Sequence, residues 1–174
     1  EKIAIGAAMH EFELKGTDGK THKLSDFKGK IVALQFASQD CPWSKGADPD
    51  ISALAKSYAD KDVVVLGIEA TAGRTMEAVA KYNEDRELAF VTLIDEGNAY
   101  ADAVNAKQTP EFFVVDKEGK LAYHGAFDDR TQPANTGDTN YVAKAIDSLL
   151  AGTAVEEPEV KAWGCGIKRA PRDS

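Results

Sequence analysis

Two uninterrupted apolar runs constrain this chain more than any other feature: Ile31-Val32-Ala33-Leu34-Gln35-Phe36 and Val63-Val64-Val65-Leu66-Gly67-Ile68. Each is the length of one strand. Neither shows the polar alternation of a strand with a solvated face, so both read as buried, and the second is rich in β-branched residues. Between them Ile51, Leu54, Ala55 and Tyr58 fall at i, i+3, i+4 and i+7, one apolar face of a helix. Pro49, preceded by Asp48, suits the start of that helix or a kink within a longer one.

The remaining pattern extends the alternation. Residues 12–24 read as a hairpin around Thr17-Asp18-Gly19-Lys20. Residues 75–88 repeat apolar positions with a helical period, and residues 90–94 form a short strand. A helix over 98–106 with Tyr100, Ala103 and Val104 inward is broken by Thr109-Pro110. Residues 112–116 and 121–124 read as strands joined by a turn at Lys117-Glu118-Gly119-Lys120, and a polar loop covers 127–137. A last helix over 139–150 stops at Gly152. The expected architecture is an α/β domain over residues 1–152, a mixed sheet covered on both faces. Residues 153–174 form an extension that lies over the domain or hangs from it. In it Glu156-Glu157-Pro158-Glu159 reads as a solvated acidic linker, Trp163 is expected to pack the extension down, and Cys165 sits between Gly164 and Gly166 ahead of a basic tail.

Composition narrows the function. The 174 residues carry 21 Lys and Arg against 29 Asp and Glu, a net charge of -8, which disfavours nucleic-acid binding. The apolar runs are far too short for a membrane span. Two cysteines are too few for a disulfide scaffold or a zinc cluster. The chain starts at Glu1 with no hydrophobic leader, which fits a mature exported protein, periplasmic or secreted, and fits a trimmed chain equally well. The expectation taken forward is an extracytoplasmic location.

The chemistry points to Cys41, in Phe36-Ala37-Ser38-Gln39-Asp40-Cys41-Pro42-Trp43-Ser44-Lys45, where a buried strand gives way to a helix. Unpaired N–H groups and the positive end of the helix dipole favour the thiolate there, and Lys45 adds positive charge if it points back. Asp40 works against a second negative charge.

These segments, taken in order, resemble the thioredoxin superfamily, and more closely its redoxin branch of peroxiredoxin-like AhpC/TSA and thiol–disulfide oxidoreductase proteins. The resemblance spans residues 5–152. It rests on Phe12-Glu13-Leu14, Asp18-Gly19-Lys20, Leu24-Ser25-Asp26-Phe27-Lys28-Gly29-Lys30, the Cys41 segment, Pro49, Thr109-Pro110, and a closing hairpin with Asp116 and Gly119 in its turn. It implies a thioredoxin-like fold with an N-terminal hairpin and a redoxin-type insertion between Phe90 and Ala106. It also implies a cis bond at Pro110 that sets Thr109 beside Cys41, leaving backbone groups free for an extended peptide or a bound thiol.

Departures from the family pattern bear on mechanism. Ser44 stands where thioredoxins place their second thiol, and Gln35 where many keep a buried acid, so a dithiol cycle within the motif is excluded. In the peroxiredoxin-like reading Cys41 attacks peroxide, with Ser38 as the hydroxyl residue and Arg130 as the candidate arginine supporting thiolate and peroxide. Leu34 occupies the position of an expected proline. The other reading is thiol–disulfide exchange with a protein disulfide. Both require a thiol electron donor and a resolving thiol, and Cys165, 124 residues on, resembles the C-terminal cysteine of a 2-Cys layout. Three options stay open for Cys165: resolving, locking the tail in a permanent disulfide as part of a non-catalytic binding module, or pairing with another chain.

Trp43 either docks a partner or covers the helix end. His10, His22 and His124 are scattered, and neither a metal nor another cofactor is expected. Asp128-Asp129-Arg130 reads by default as a solvated charged turn.

Overall fold

The computed structural model describes residues 2–169; Glu1 and residues 170–174, including the end of the basic tail, lie outside the described residues. The two apolar runs become β3 (Ile31–Ala37) and β4 (Val63–Glu69), paired in parallel from Ile31↔Val63 to Ala37↔Glu69. In β3 the side chains divide by parity. Val32, Leu34 and Phe36 enter one apolar cluster, and Ile31 and Ala33 enter the other. Continuous apolar sequence follows directly, because each strand has two buried faces.

The sheet has six strands in the order β5-β4-β3-β7-β8-β9, adding β5 (Val91–Ile94), β7 (Glu111–Val115), β8 (Leu121–Gly125) and β9 (Glu159–Val160). Pairs β3·β4, β4·β5 and β8·β9 are parallel, while β3·β7 and β7·β8 are antiparallel. One face is covered by α1 (Pro42–Tyr58) and α4 (Tyr141–Ala151), through Ile51, Leu54, Val142 and Ile146 against Phe112, Val114 and Tyr123. The opposite face packs Phe36, Ile68 and Phe113 against Phe12, Tyr100 and Val104, the last two from α3 (Ala99–Val104). A helix α2 (Met76–Asp85) follows β4, its first turn capped where the Thr75 side chain accepts from the Ala78 N–H at 3.2 Å. The hairpin is β1 (Glu13–Lys15) with β2 (Thr21–Lys23), and its turn uses Gly19 at φ +79.

Pro49 lies inside α1, which begins at Pro42; the helix is longer than its apolar repeat alone marks out. The segment after Gly152 folds back onto the domain. It supplies β9, in which Glu159 joins the edge of the sheet beside His124 and keeps its side chain exposed, as Glu156 and Glu157 do. It also supplies β10 (Cys165–Gly166), which pairs antiparallel with β6 (Gln108–Thr109). Trp163 packs the extension onto the domain, in the cluster that contains Phe127 and Val142.

The solvated-turn reading of Asp128-Asp129-Arg130 is wrong for two of its three residues. Asp128 is 1% and Arg130 4% exposed. Arg130 Nε and Nη2 donate to Asp128 at 2.8 and 2.9 Å, Nη2 also reaches Asp50 at 2.8 Å, and Nη1 donates to the Pro133 carbonyl at 2.9 Å. A charged group enters an interior when such partners replace its water.

Candidate active site

Cys41 is the N-cap residue of α1, with extended backbone (φ -88, ψ 119) and Pro42 at N1. Proline contributes no N–H, so the first helical donors that face the sulfur side are those of Trp43 and Ser44. Opposite stands the loop between β6 and β7, where the Thr109–Pro110 bond is cis. It brings the Thr109 carbonyl oxygen to 3.2 Å from Cys41 Sγ. In the reduced protein that oxygen would accept a hydrogen bond from the Cys41 thiol and oppose its thiolate, so the helix end and the carbonyl act on the reduced sulfur in opposite directions.

Cys165 meets Cys41 in a disulfide with Cα atoms 5.9 Å apart. Cys41 is 3% exposed, whereas Cys165 is half-buried. The strand register explains the meeting: Cys165 pairs with Thr109 and Gly166 with Gln108, which places the second sulfur across from the carbonyl that faces the first.

The loop before Cys41 is fixed by its hydroxyls. Ser38 Oγ accepts from the Asp40 N–H at 3.3 Å and from the Thr71 hydroxyl at 3.2 Å. Ser44 is 1% exposed, and its Oγ accepts from the Ser38 N–H at 3.0 Å. The serine in the second-thiol position therefore ties the helix to the loop. Asp40, expected to oppose the thiolate, spends its charge elsewhere. Arg74 Nη2 donates to it at 2.5 Å, and this guanidinium, with smaller help from Lys168 and Lys45, holds its carboxyl below the usual range.

Behind the loop lies a polar nest that the sequence reading did not find. A cavity of about 10 Å³ is lined by Ser38, Ser44, Asp48, Glu69 and Tyr82 among others. The Tyr82 hydroxyl donates to Asp48, and Arg86 Nε approaches the same carboxylate at 3.3 Å. Burial still pushes Asp48 up to about 6 and raises Glu69. Asp48 and Tyr82 stand on different helices, so no local motif links them. The one local signal is an acid on the inward side of α1, four residues after Ser44.

Trp43 covers the helix end by packing against Trp163, ring centroids 5.2 Å apart and planes tilted by 42°, and the Trp163 Nε1 donates to the Asp128 carbonyl at 2.7 Å. Arg130 lies beneath that pair, its guanidinium 5.2 Å from the Trp163 ring, with N–H donors engaged by Asp128, Asp50, Pro133 and Gly46. Gln35 is fully buried, and neither of its amide atoms has a partner among the described residues. His124, next to the site in β8, is held 2.8 Å from Glu111 and stacks on Phe113.

The profile of the AhpC/TSA family matches residues 5–124. The chain is 33% identical over 132 residues to Peroxiredoxin Bcp of Bacillus subtilis, covering 68% of this chain and 82% of that protein. It is 31% identical over 121 residues to Thiol-disulfide oxidoreductase ResA of Bacillus thuringiensis, covering 70% of this chain and 69% of that protein. A crystal structure of an uncharacterized conserved protein from Geobacillus kaustophilus superposes with a TM-score of 0.91 at 28% identity, covering 99% of this chain and 96% of that one. The architecture is the thioredoxin-like fold.

Proposed function

This chain belongs to the AhpC/TSA family, and on that premise we propose that it exchanges disulfides in a two-cysteine cycle, Cys41 being the nucleophile and Cys165 the resolving thiol. It is a thiol-dependent oxidoreductase of the redoxin type. The observation that carries the proposal is the meeting of two cysteines 124 residues apart at one helix N-terminus, opposite a cis-proline loop.

In the reduced protein the Cys41 thiolate attacks one sulfur of a substrate disulfide. A Cys41–substrate bond forms, and the other half leaves as a thiolate. Cys165, as thiolate, then attacks the Cys41 sulfur; the Cys41–Cys165 bond forms and the substrate thiol is released. A thiol electron donor attacks Cys165, the more accessible sulfur, and Cys41 departs as a thiolate stabilised by the helix end. A second donor thiol then attacks the donor sulfur of the donor–Cys165 bond, the donor leaves as its disulfide, and Cys165 is released as a thiolate. Thr109 and Pro110 present the backbone against which the substrate lies, Ser38 holds the loop, and Trp43 and Arg130 form the adjoining wall.

Exchange is favoured over peroxide reduction because the β6 edge already pairs with an extended cysteine-bearing segment, while the donors of Arg130 are committed to Asp128, Asp50 and two carbonyls. Peroxide reduction is the second reading, supported by Ser38 three residues before Cys41 and by the likeness to Peroxiredoxin Bcp. There the thiolate takes the terminal oxygen, water or alcohol leaves, and Cys165 condenses with the sulfenic acid. Pairing of both cysteines also supports an oxidising compartment outside the cytoplasm.

Reduced wild-type protein is expected to reoxidise while reducing a protein disulfide such as insulin. Cys165→Ser should accumulate a mixed disulfide on Cys41, and Cys41→Ser should do neither. A Cys41–Cys165 bond that resists dithiothreitol in the folded protein would point instead to a binding module with a locked tail. Turnover with hydrogen peroxide and not with disulfides would select the second reading.

A further inference from the structure

The tail is seated as an added strand would be. Besides the Cys165↔Thr109 and Gly166↔Gln108 pairs, the Ile167 N–H donates to the Lys107 carbonyl at 2.9 Å, and the Ala72 N–H donates to the Lys168 carbonyl at 2.9 Å. Main-chain bonds of this kind hold any extended segment; side-chain seats decide which one.

The two glycines around Cys165 have different surroundings. A Cβ on Gly164 would run into the Thr109 carbonyl oxygen and stand 2.8 Å from its carbon, and the residue adopts φ +137. The obstacle is backbone, so it cannot swing aside. A Cβ on Gly166 meets nothing within 4 Å. One position demands glycine and the other does not.

Trp163, two residues before the sulfur, has a built seat. Trp43 lies on one side, the Arg130 guanidinium 5.2 Å away on another, and the Asp128 carbonyl accepts from its Nε1. The Arg130 side chain is fully buried and pinned by its own partners, so the seat is preorganised. Ile167, two residues after the sulfur, packs against the cluster of Phe36 and Tyr100.

We propose that residues 163–167 occupy, in the oxidised chain, a groove that a partner protein's segment takes in the mixed disulfide. The groove selects an extended segment with glycine immediately before the reacting cysteine and an aromatic residue two before it. This rests on the exchange reading above and names its substrate class. The tail is then both resolving thiol and competitor, and it leaves the groove before a substrate enters.

The test uses the full-length chain carrying Cys165→Ser and Trp163→Ala, which removes the tail's own sulfur and its aromatic anchor. The probes are peptides Trp-Gly-Cys-Gly-Ile, activated at cysteine as a mixed disulfide with 5-thio-2-nitrobenzoate. Cys41 thiolate attacks the peptide sulfur, the Cys41–peptide bond forms, and thionitrobenzoate leaves, giving a coloured single turnover and an adduct visible by mass. Alanine for the glycine before cysteine is expected to slow capture at least about thirtyfold, since a backbone clash has no cheap relief. Alanine for tryptophan should slow it about tenfold, the scale of one packed aromatic contact with its hydrogen bond. Alanine for the glycine after cysteine should change it less than about twofold, as for an open position. Adding Trp43→Ala to the protein should shrink the tryptophan preference. Equal rates for the two glycine replacements, with the free reagent 5,5′-dithiobis(2-nitrobenzoate) still reacting at Cys41, would overturn the inference and leave the exchange chemistry standing. Failure of Cys41 to react even with the free reagent would remove both.

Discussion

Cys165 is the antiparallel strand partner of Thr109, and the carbonyl of that same Thr109 lies 3.2 Å from the sulfur of Cys41. One residue thus aligns both halves of the disulfide. The resolving sulfur reaches the nucleophile through a strand register, and a change in that register moves it away.

The disulfide should therefore be a large share of the tail's hold on the domain. It closes a loop spanning 124 residues, for which chain entropy gives about 4–5 kcal/mol. Urea unfolding of the oxidised protein against the Cys165→Ser variant is expected to differ by about 4 kcal/mol. A difference under about 1 kcal/mol would mean that strand and tryptophan contacts hold the tail unaided.

Arg130→Met leaves the carboxylate of Asp128 buried without its counter-charge, and is expected to cost about 3–5 kcal/mol. Asp128→Asn in the same chain should restore part of that loss. Because Trp163 lies over the guanidinium, its fluorescence should change with Arg130→Met. An unaltered denaturation midpoint would contradict the buried network.

Asp48 makes stability depend on pH. Its folded pKa is about 6 against an ordinary 3.8, raised by burial and only partly offset by Tyr82, Arg86 and Lys45. Below about pH 4 it is protonated in both states and costs nothing; between about 4 and 6 the unfolded chain loses the proton first. Stability should fall by about 3 kcal/mol across that window and stay level above it. Glu69 and Asp95, also raised by burial, act in the same direction. Unfolding measured from pH 4 to 7 should show a shallower decline in Asp48→Asn than in wild type, and an identical decline would exclude Asp48 as its source.

Gln35 buries an amide with no partner among the described residues. Gln35→Leu keeps the volume and drops the unsatisfied groups, so it should raise stability by about 1 kcal/mol. A lower melting temperature would show that the amide is satisfied in solution.

The sheet was legible wherever burial is written as parity: β3, β4 and β7 each carry apolar residues to both faces. Cys41, Thr109-Pro110 and Cys165 stood out because thiol chemistry and an X-Pro bond are local signals. The Arg130 network was not legible. Asp50, Asp128 and Arg130 come together only when the loop after β8 lies on α1, where a Cβ at Gly46 would meet the Pro133 backbone, and nothing local distinguishes an inward acid from a solvated one. The pairing of Asp48 with Tyr82 was hidden because the two stand on different helices and meet only in the fold. Of the two places open to Pro49, the structure takes the one inside a longer helix that starts after Cys41; the apolar repeat could not decide this because it begins only at Ile51.

Strand β9 has a consequence apart from catalysis. The His124 N–H donates to the Pro158 carbonyl and the Ala126 N–H to the Val160 carbonyl, so the outer rim of β8 is already occupied. An unoccupied rim is a template on which strands of other molecules can add. Shortening the chain at Gly152 would bare it, and the truncated protein carrying Cys41→Ser, with neither sulfur left, should self-associate on concentration.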